Sequence, residues 1–273
     1  MLTIQPPFGY RALKPLNRND YVRLLPPGEM PAFARDSQIV PVSYGEITVA
    51  AWHYPIIFVQ DAASGGYTIA ALVGLGRNAF SHETAEHKAG WDSQAYVPAY
   101  LRRYPFCMAS ITNDGVRNPD LLVCAEADHV SDEPQAGAVR LFDDAGEPLA
   151  QWKDIEAFLK EYESDLAGSR AFSARLAELD LMEPFTANIV RPDGEQQTIS
   201  GMVRVDEGRL AALDAETVAE LHRSGFLARI YVHLFSLQRF QQLLVRDAQR
   251  NAPIAPNTAS APAAEESATA TPE

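Results

Sequence analysis

From Ile39 to about Leu141 the apolar positions come in short runs rich in β-branched and aromatic residues: IVPVSY, ITVAAWHYPIIFV, YTIAALVGL, LLVCAEA and VRLF. Runs of this length and composition predict strands. Turn-forming clusters, DAASGG at 61–66 and NDGVRNPD at 113–120, separate several of them. Both are too short for a parallel crossover, so they predict antiparallel hairpins.

The period changes near Gln151. Trp152, Ile155, Leu159, Tyr162 and Leu166 are spaced 3, 4, 3 and 4 apart, which predicts a helix ending before Gly168. Phe172, Leu176 and Leu179 mark a shorter helix after it. FTANIVRPDGEQQTISGMVRV then predicts two strands around the turn Arg191-Pro192-Asp193-Gly194. Asp214 is placed to cap the next helix, with Leu213 and Val218 as its hydrophobic staple and Gly225 as its stop. A final amphipathic helix is expected from about Phe226 to Arg250. Its apolar stripe is Phe226, Ile230, His233, Leu237, Phe240 and Leu244, and Arg239, Arg246 and Arg250 point away.

Beyond this the chain is almost entirely Ala, Pro, Glu and small polar residues, which cannot offset their ordering entropy. The predicted fold class is therefore α+β. A sheet-rich antiparallel N-terminal part (1–150) precedes a helical part with an inserted β-hairpin (151–250), and a disordered C-terminal tail (251–273) follows.

Composition adds exclusions. With 36 acidic against 23 basic side chains the net charge is -13, which opposes a nucleic-acid partner because phosphate binding rests on clustered Lys and Arg. Twelve of the acids fall between Glu126 and Leu166, against three bases there. Such a run predicts a solvated face, with a docking surface for a basic partner as the alternative. The two cysteines, Cys107 and Cys124, have no metal-ligand spacing and read as reduced thiols. The N-terminus carries no apolar signal segment, and no run approaches the length of a membrane span. A soluble cytoplasmic protein with no membrane span is expected.

Candidate chemistry is sparse. Gly74-Leu75-Gly76-Arg77-Asn78-Ala79 matches the dinucleotide-binding turn, with Asp92 downstream, yet its neighbouring strands read as antiparallel. His82, Glu83, Glu86 and His87 resemble a metalloprotease helix without its spacing, so no metal is assigned. His222 and His233 lie on helices, and His233 within an apolar stripe reads as a buried, hydrogen-bonded imidazole rather than a base. No nucleophile elbow or P-loop occurs, and no catalytic residue or cofactor is assigned.

The densest unusual segment is Trp91 to Phe106, with five aromatics, two prolines and the pair Arg102-Arg103 in 16 residues. It predicts either a recognition surface or a packed crossover. Arg102-Arg103 is the best anion-binding candidate in the chain.

That segment also carries a resemblance. Tyr54-Pro55-Ile56-Ile57-Phe58-Val59, Gly74-Leu75 leading to Asn78-Ala79-Phe80, Trp91 and the motif YVPAYLRRYPF from Tyr96 to Phe106 resemble, in order and spacing, the bacterial SapC family. So do LFDDAGEP from Leu141, GMVRVD from Gly201 and GFLARIYVHL from Gly225. Where the family carries a larger apolar residue, this chain has Ala79. The resemblance covers most of Tyr10 to Leu244. It implies association with a bacterial surface layer, and family members lie near genes for outer-membrane TonB-dependent receptors and flavin-dependent halogenase-like proteins. The peptide-transporter permease of the same name is a different protein, because it must cross the membrane several times.

The expectation is thus a non-catalytic accessory protein of a surface-layer or outer-membrane uptake system. It would bind a protein partner or a small anionic ligand through Trp91, Tyr96, Tyr100, Arg102, Arg103, Tyr104 and Asn78. One alternative is an enzyme acting on a small substrate beside the flavoprotein, with Arg102, Arg103 and His233 as its machinery. The other is a structural surface-layer component.

Overall fold

The turn clusters close hairpins as the pattern predicts. A computed structural model describes residues 2–61, 65–83, 89–113, 116–190 and 196–251. Ile56–Gln60 pairs antiparallel with Tyr67–Leu72, and Phe106–Asn113 with Val116–Glu126. The second hairpin is longer than the sequence predicts. Its return strand begins at Val116, inside the cluster read as a turn, and a register shift between Arg117 and Leu121 absorbs the irregular stretch. Every strand pairing among the described residues is antiparallel.

Three elements differ from the sequence reading, each for a local reason. ITVAA, read as part of a strand, forms the short helix Ile47–Ala50. The Glu46 carboxylate accepts hydrogen bonds from Ser43 N and Ser43 Oγ at 2.9 and 2.8 Å and Glu46 N donates to Ser43 O at 3.1 Å, which closes a turn over Ser43-Tyr44-Gly45-Glu46 that leads the chain into the helix. The helix that Gly168 was expected to end runs on unbroken from Ala150 to Glu178. A methyl group at Gly168 would meet Tyr44 at ordinary contact distance, Cβ at 3.6 Å and the ring at 3.7 Å, and Tyr44 N donates to Ser169 Oγ at 2.8 Å. The 43–46 turn thus docks on this part of the helix, and the glycine does not stop it.

The final helix is two helices, Phe226–Ser236 and Arg239–Asn251. Ser236 Oγ donates to the His233 carbonyl at 2.6 Å, occupying the acceptor that Leu237 N would use in a continuing helix. The backbone tightens there, with Leu237 N bonded to Leu234 O and Gln238 N to Phe235 O.

The largest sheet has five strands in the order Met182–Val190, Gln196–Val205, Ile56–Gln60, Tyr67–Leu72, Ile39–Pro41. The C-terminal hairpin thus extends the N-terminal sheet, through Met202 opposite Val59 and Val203 opposite Phe58. The long helix Ala150–Glu178 packs on Tyr67–Leu72, and Phe226–Ser236 packs on Ile56–Gln60 and Gln196–Val205. Helices cover the central strands, so Ile56, Ile57 and Phe58 are wholly buried without alternation. A second sheet has four strands in the order Leu2–Thr3, Phe106–Asn113, Val116–Glu126, Leu13–Pro15.

Asp214 caps its helix by accepting from Thr217 N at 2.9 Å, and Gly225 follows in the left-handed conformation. No described helix is long and apolar enough to cross a membrane. The turn 191–194, Glu86, His87 and residues 252–273 of the expected tail lie outside the described residues.

Candidate functional site around Arg102

The motif YVPAYLRRYPF is organised by a carboxylate the sequence reading left out. Glu46 is buried, and besides Ser43 it accepts from the Tyr96 hydroxyl at 2.8 Å and from Ala99 N at 2.6 Å. Four donors on two oxygens satisfy the buried charge. They also fix the start of the short helix Ala99–Arg102 against the Ile47–Ala50 turn.

Most of the expected binding residues spend their polar groups inside the fold. Asn78 is fully buried. Its Nδ2 donates to Ala34 O at 2.6 Å, and its Oδ1 accepts from Phe80 N and Ser81 N at 2.9 and 3.1 Å. Trp91 is buried and donates its indole N–H to the Tyr54 hydroxyl at 3.0 Å. Tyr100 is buried and donates to Phe8 O, while Tyr104 is half-buried with its ring against Tyr10, Phe33 and His129.

The adjacent arginines part company. Arg103 is 5% exposed, and its guanidinium lies over the rings of Tyr100, Tyr162 and Tyr10 at 4.4, 4.9 and 5.7 Å. Burial pushes all three phenols up, Tyr100 to about 12, so the rings face the cation as neutral π-systems. Among the described residues Arg103 has no carboxylate partner, and its Nε has no hydrogen-bond partner.

Arg102 is exposed. Its Nε donates to Val97 O and its Nη2 to the Tyr96 hydroxyl, both at 3.0 Å, and the guanidinium lies 5.1 Å from the Phe158 ring centroid. It too has no carboxylate partner among the described residues.

Arg102, Arg103 and Tyr104 border a cleft of about 390 Å³ between the 24–30 loop and the long helix. Its lining is mainly apolar, including Leu24, Met30, Leu101, Ile155 and Phe158, with Glu29, Gln151 and Asp154 as further polar groups. Met30 N donates to Ala89 O at 2.7 Å, which ties the loop wall to the rest of the fold. The Arg102 end of the cleft thus holds a guanidinium pinned by Tyr96 and Val97 above an aromatic face, with donors still available. A guanidinium so placed can donate to an anionic or carbonyl oxygen, with apolar surface beside it for the rest of a molecule.

A family model described as SapC matches residues 16–243, most of the chain. The chain belongs to the SapC family. No curated protein and no solved structure matches it.

In this SapC chain the histidine of the final stripe stands apart from the cleft. His233 is 1% exposed and does not line it. Its Nε2 accepts from Val205 N at 3.1 Å, so the proton sits on Nδ1, which donates to Ile56 O at 2.8 Å. Burial pushes its pKa down to about 4, against the opposing pull of the Ile56 carbonyl. The imidazole is a neutral cross-link between the helix and two strands, as the stripe predicts.

The Gly74 motif is no dinucleotide turn. Tyr67–Leu72 is antiparallel to both neighbours, Gly74 bridges back to Asn78, and a Cβ at Gly74 would run into the Arg77 carbonyl. Asp92, downstream of it, pairs with Arg246 at 2.6 Å. Arg250 donates to the carbonyls of Asn78 and Ser81. Arg246 and Arg250, which keep part of their surface in solvent, thus tether this loop to the last helix. Within the acidic stretch, Glu126 is also no solvated charge, since it is buried and accepts from Arg11 N and Ala12 N at 3.0 Å.

Sequence reasoning missed the cleft's second wall. Phe158 is a helical position between the stripe residues Ile155 and Leu159, which the spacing marks only as core positions, and Leu24 to Met30 carry no motif. The one available signal was Ser43-x-x-Glu46, whose carboxylate positions the whole segment.

Proposed function

We propose that this chain is a SapC-family binding protein that takes an apolar group with an anionic end in the cleft beside Arg102. One observation carries the reading: Arg102 is held rigidly over Phe158 at the mouth of an apolar cleft, with no carboxylate of its own among the described residues. A structural arginine is normally paired, and Arg103 next to it is buried among rings instead. The group presented is a small amphiphile or the anchoring side chain of a protein partner, recognised by stacking and directed hydrogen bonds. In the cell we place the protein in the cytoplasm, as an accessory to a surface-layer or outer-membrane uptake system. The family resemblance supports the surface-layer or uptake association, and the polar N-terminal sequence supports the compartment.

The test is Arg102→Ala beside the unaltered protein, each used to capture partners from native lysate and each melted thermally. Arg102 is exposed, so stability should change by no more than about 0.5 kcal/mol while the captured ligand or partner is lost. A variant that folds normally and keeps everything the parent captures would exclude the cleft as the site.

A further inference from the structure

Away from that cleft, the fold leaves several large apolar side chains facing outward together. Trp52 and Phe235 are each 69% exposed, Tyr231 48% and Val49 40%. Val49 lies in the short helix Ile47–Ala50 and Trp52 just after it, while Tyr231 and Phe235 lie one turn apart on Phe226–Ser236, and the two helices pack together. Between Trp52 and Phe235 opens a cleft of about 450 Å³, lined also by Thr48, Ala51, Val232 and Arg239. Exposed apolar surface of this extent, with a socket in it, marks an interaction site.

The charge on this face has the opposite sign to the chain. Residues 47–60 carry no Asp, Glu, Lys or Arg, and Arg239 is the charged residue lining the cleft, in a protein of net charge -13; the other two arginines of residues 226–246 are engaged elsewhere, Arg229 over Tyr44 and Arg246 on Asp92. Arg239, at the cleft, bonds only Gln242 Oε1 among the described residues, at 2.9 Å. His53, beside Trp52, is held below the ordinary imidazole range chiefly by burial, with Arg239 and Arg246 adding to this and Asp92 opposing it.

We infer that this face docks an acidic amphipathic segment of a protein partner, with an apolar side chain seated between Trp52 and Phe235 and carboxylates toward Arg239. A second copy fits less well. A two-fold contact of this patch would set Arg239 near its own copy. An anionic bilayer fits less well too, because the cleft is concave and the remainder of the chain carries the opposing charge. The inference does not depend on the Arg102 cleft.

Trp52 reports on its own occupancy, since Trp91 and Trp152 are both 7% exposed. The probes are a synthetic amphipathic helix of Leu and Glu, the same peptide with Lys for every Glu, and vesicles of phosphatidylglycerol. The Glu peptide should shift Trp52 emission to the blue saturably, and at least about tenfold more tightly than the Lys peptide. Phe235→Ala should weaken it about tenfold or more with an unchanged melt. Arg239→Glu should reverse the peptide preference, and Arg102→Ala should leave it intact. Equal binding of the Lys peptide would overturn the inference, as would a shift with vesicles alone. So would a concentration-dependent shift with doubled mass and no probe, or no shift with any probe.

Discussion

Acidification gives a direct measurement of how tightly His233 is built into the fold. The native imidazole accepts from Val205 N and donates to Ile56 O, and burial holds its pKa down at about 4. In the unfolded chain the same group titrates near 6.5. Below that value the unfolded state binds a proton that the native state refuses, so stability falls as the pH drops from about 6.5 toward about 4. Between pH 7 and pH 5 the linkage amounts to about 2 kcal/mol. The assay is urea denaturation at both pH values, for the parent and for His233→Gln, whose amide offers both a donor and an acceptor.

Two other effects operate in the same window. His53 is also held below its ordinary range, mainly by burial, and loss of negative charge relieves repulsion in a chain of net charge -13. Both act on parent and variant alike. The quantity to read is therefore the difference in slope, with the parent losing about 2 kcal/mol more than the variant. Identical losses would refute the neutral cross-link. Independently of any variant, the ring resonances of His233 should not titrate above about pH 5.

Other outcomes follow from the same geometry. Arg103→Ala should cost about 3 kcal/mol, from lost ring contacts and the cavity left behind, and Arg103→Met should recover only the packing part in thermal melts; a Met variant as stable as the parent would show that the buried charge is a net burden. Gly168→Ala should stabilise the long helix by about 0.5–1 kcal/mol, because the added methyl meets Tyr44 only at ordinary contact distance. Cys107 and Cys124, cross-strand neighbours with pKa values pushed up by burial to about 12 and about 11, should resist a disulfide reagent at pH 8 until the protein unfolds. Alkylation without reductant should find both free, and a bridge would place the protein in an oxidising compartment.

The elements legible in the sequence were those whose signal is local. Asp214 followed by Thr217 makes a cap wherever it stands, and short Gly- and Asn-bearing clusters between apolar runs close hairpins without help from elsewhere. The misread elements were settled by distant partners. The helix continues through Gly168 because Tyr44, far away in sequence, docks on that turn with its N–H on Ser169 Oγ, and the last helix breaks at Ser236, whose hydroxyl also accepts from Ile56 N at 2.9 Å. The burial of His233 was readable from the stripe, whereas its two partner strands were not.

The candidate site shows the same division at closer range. Arg102 and Arg103 are identical residues in adjacent positions, and the helix ending there spans only Ala99–Arg102, too short for periodicity to say which one faces inward. What separates them is Glu46, which fixes the rotation of that turn by taking Ala99 N and the Tyr96 hydroxyl. Successive positions on a helical turn differ by about 100°, so once Ala99 is pinned, one arginine must enter the cage of Tyr10, Tyr100 and Tyr162 and the other must leave it. The buried member then stabilises the crossover, and only the member left outside, over Phe158, retains donors for a ligand. A carboxylate fifty-three residues upstream of Ala99 thus decides which arginine is available for binding.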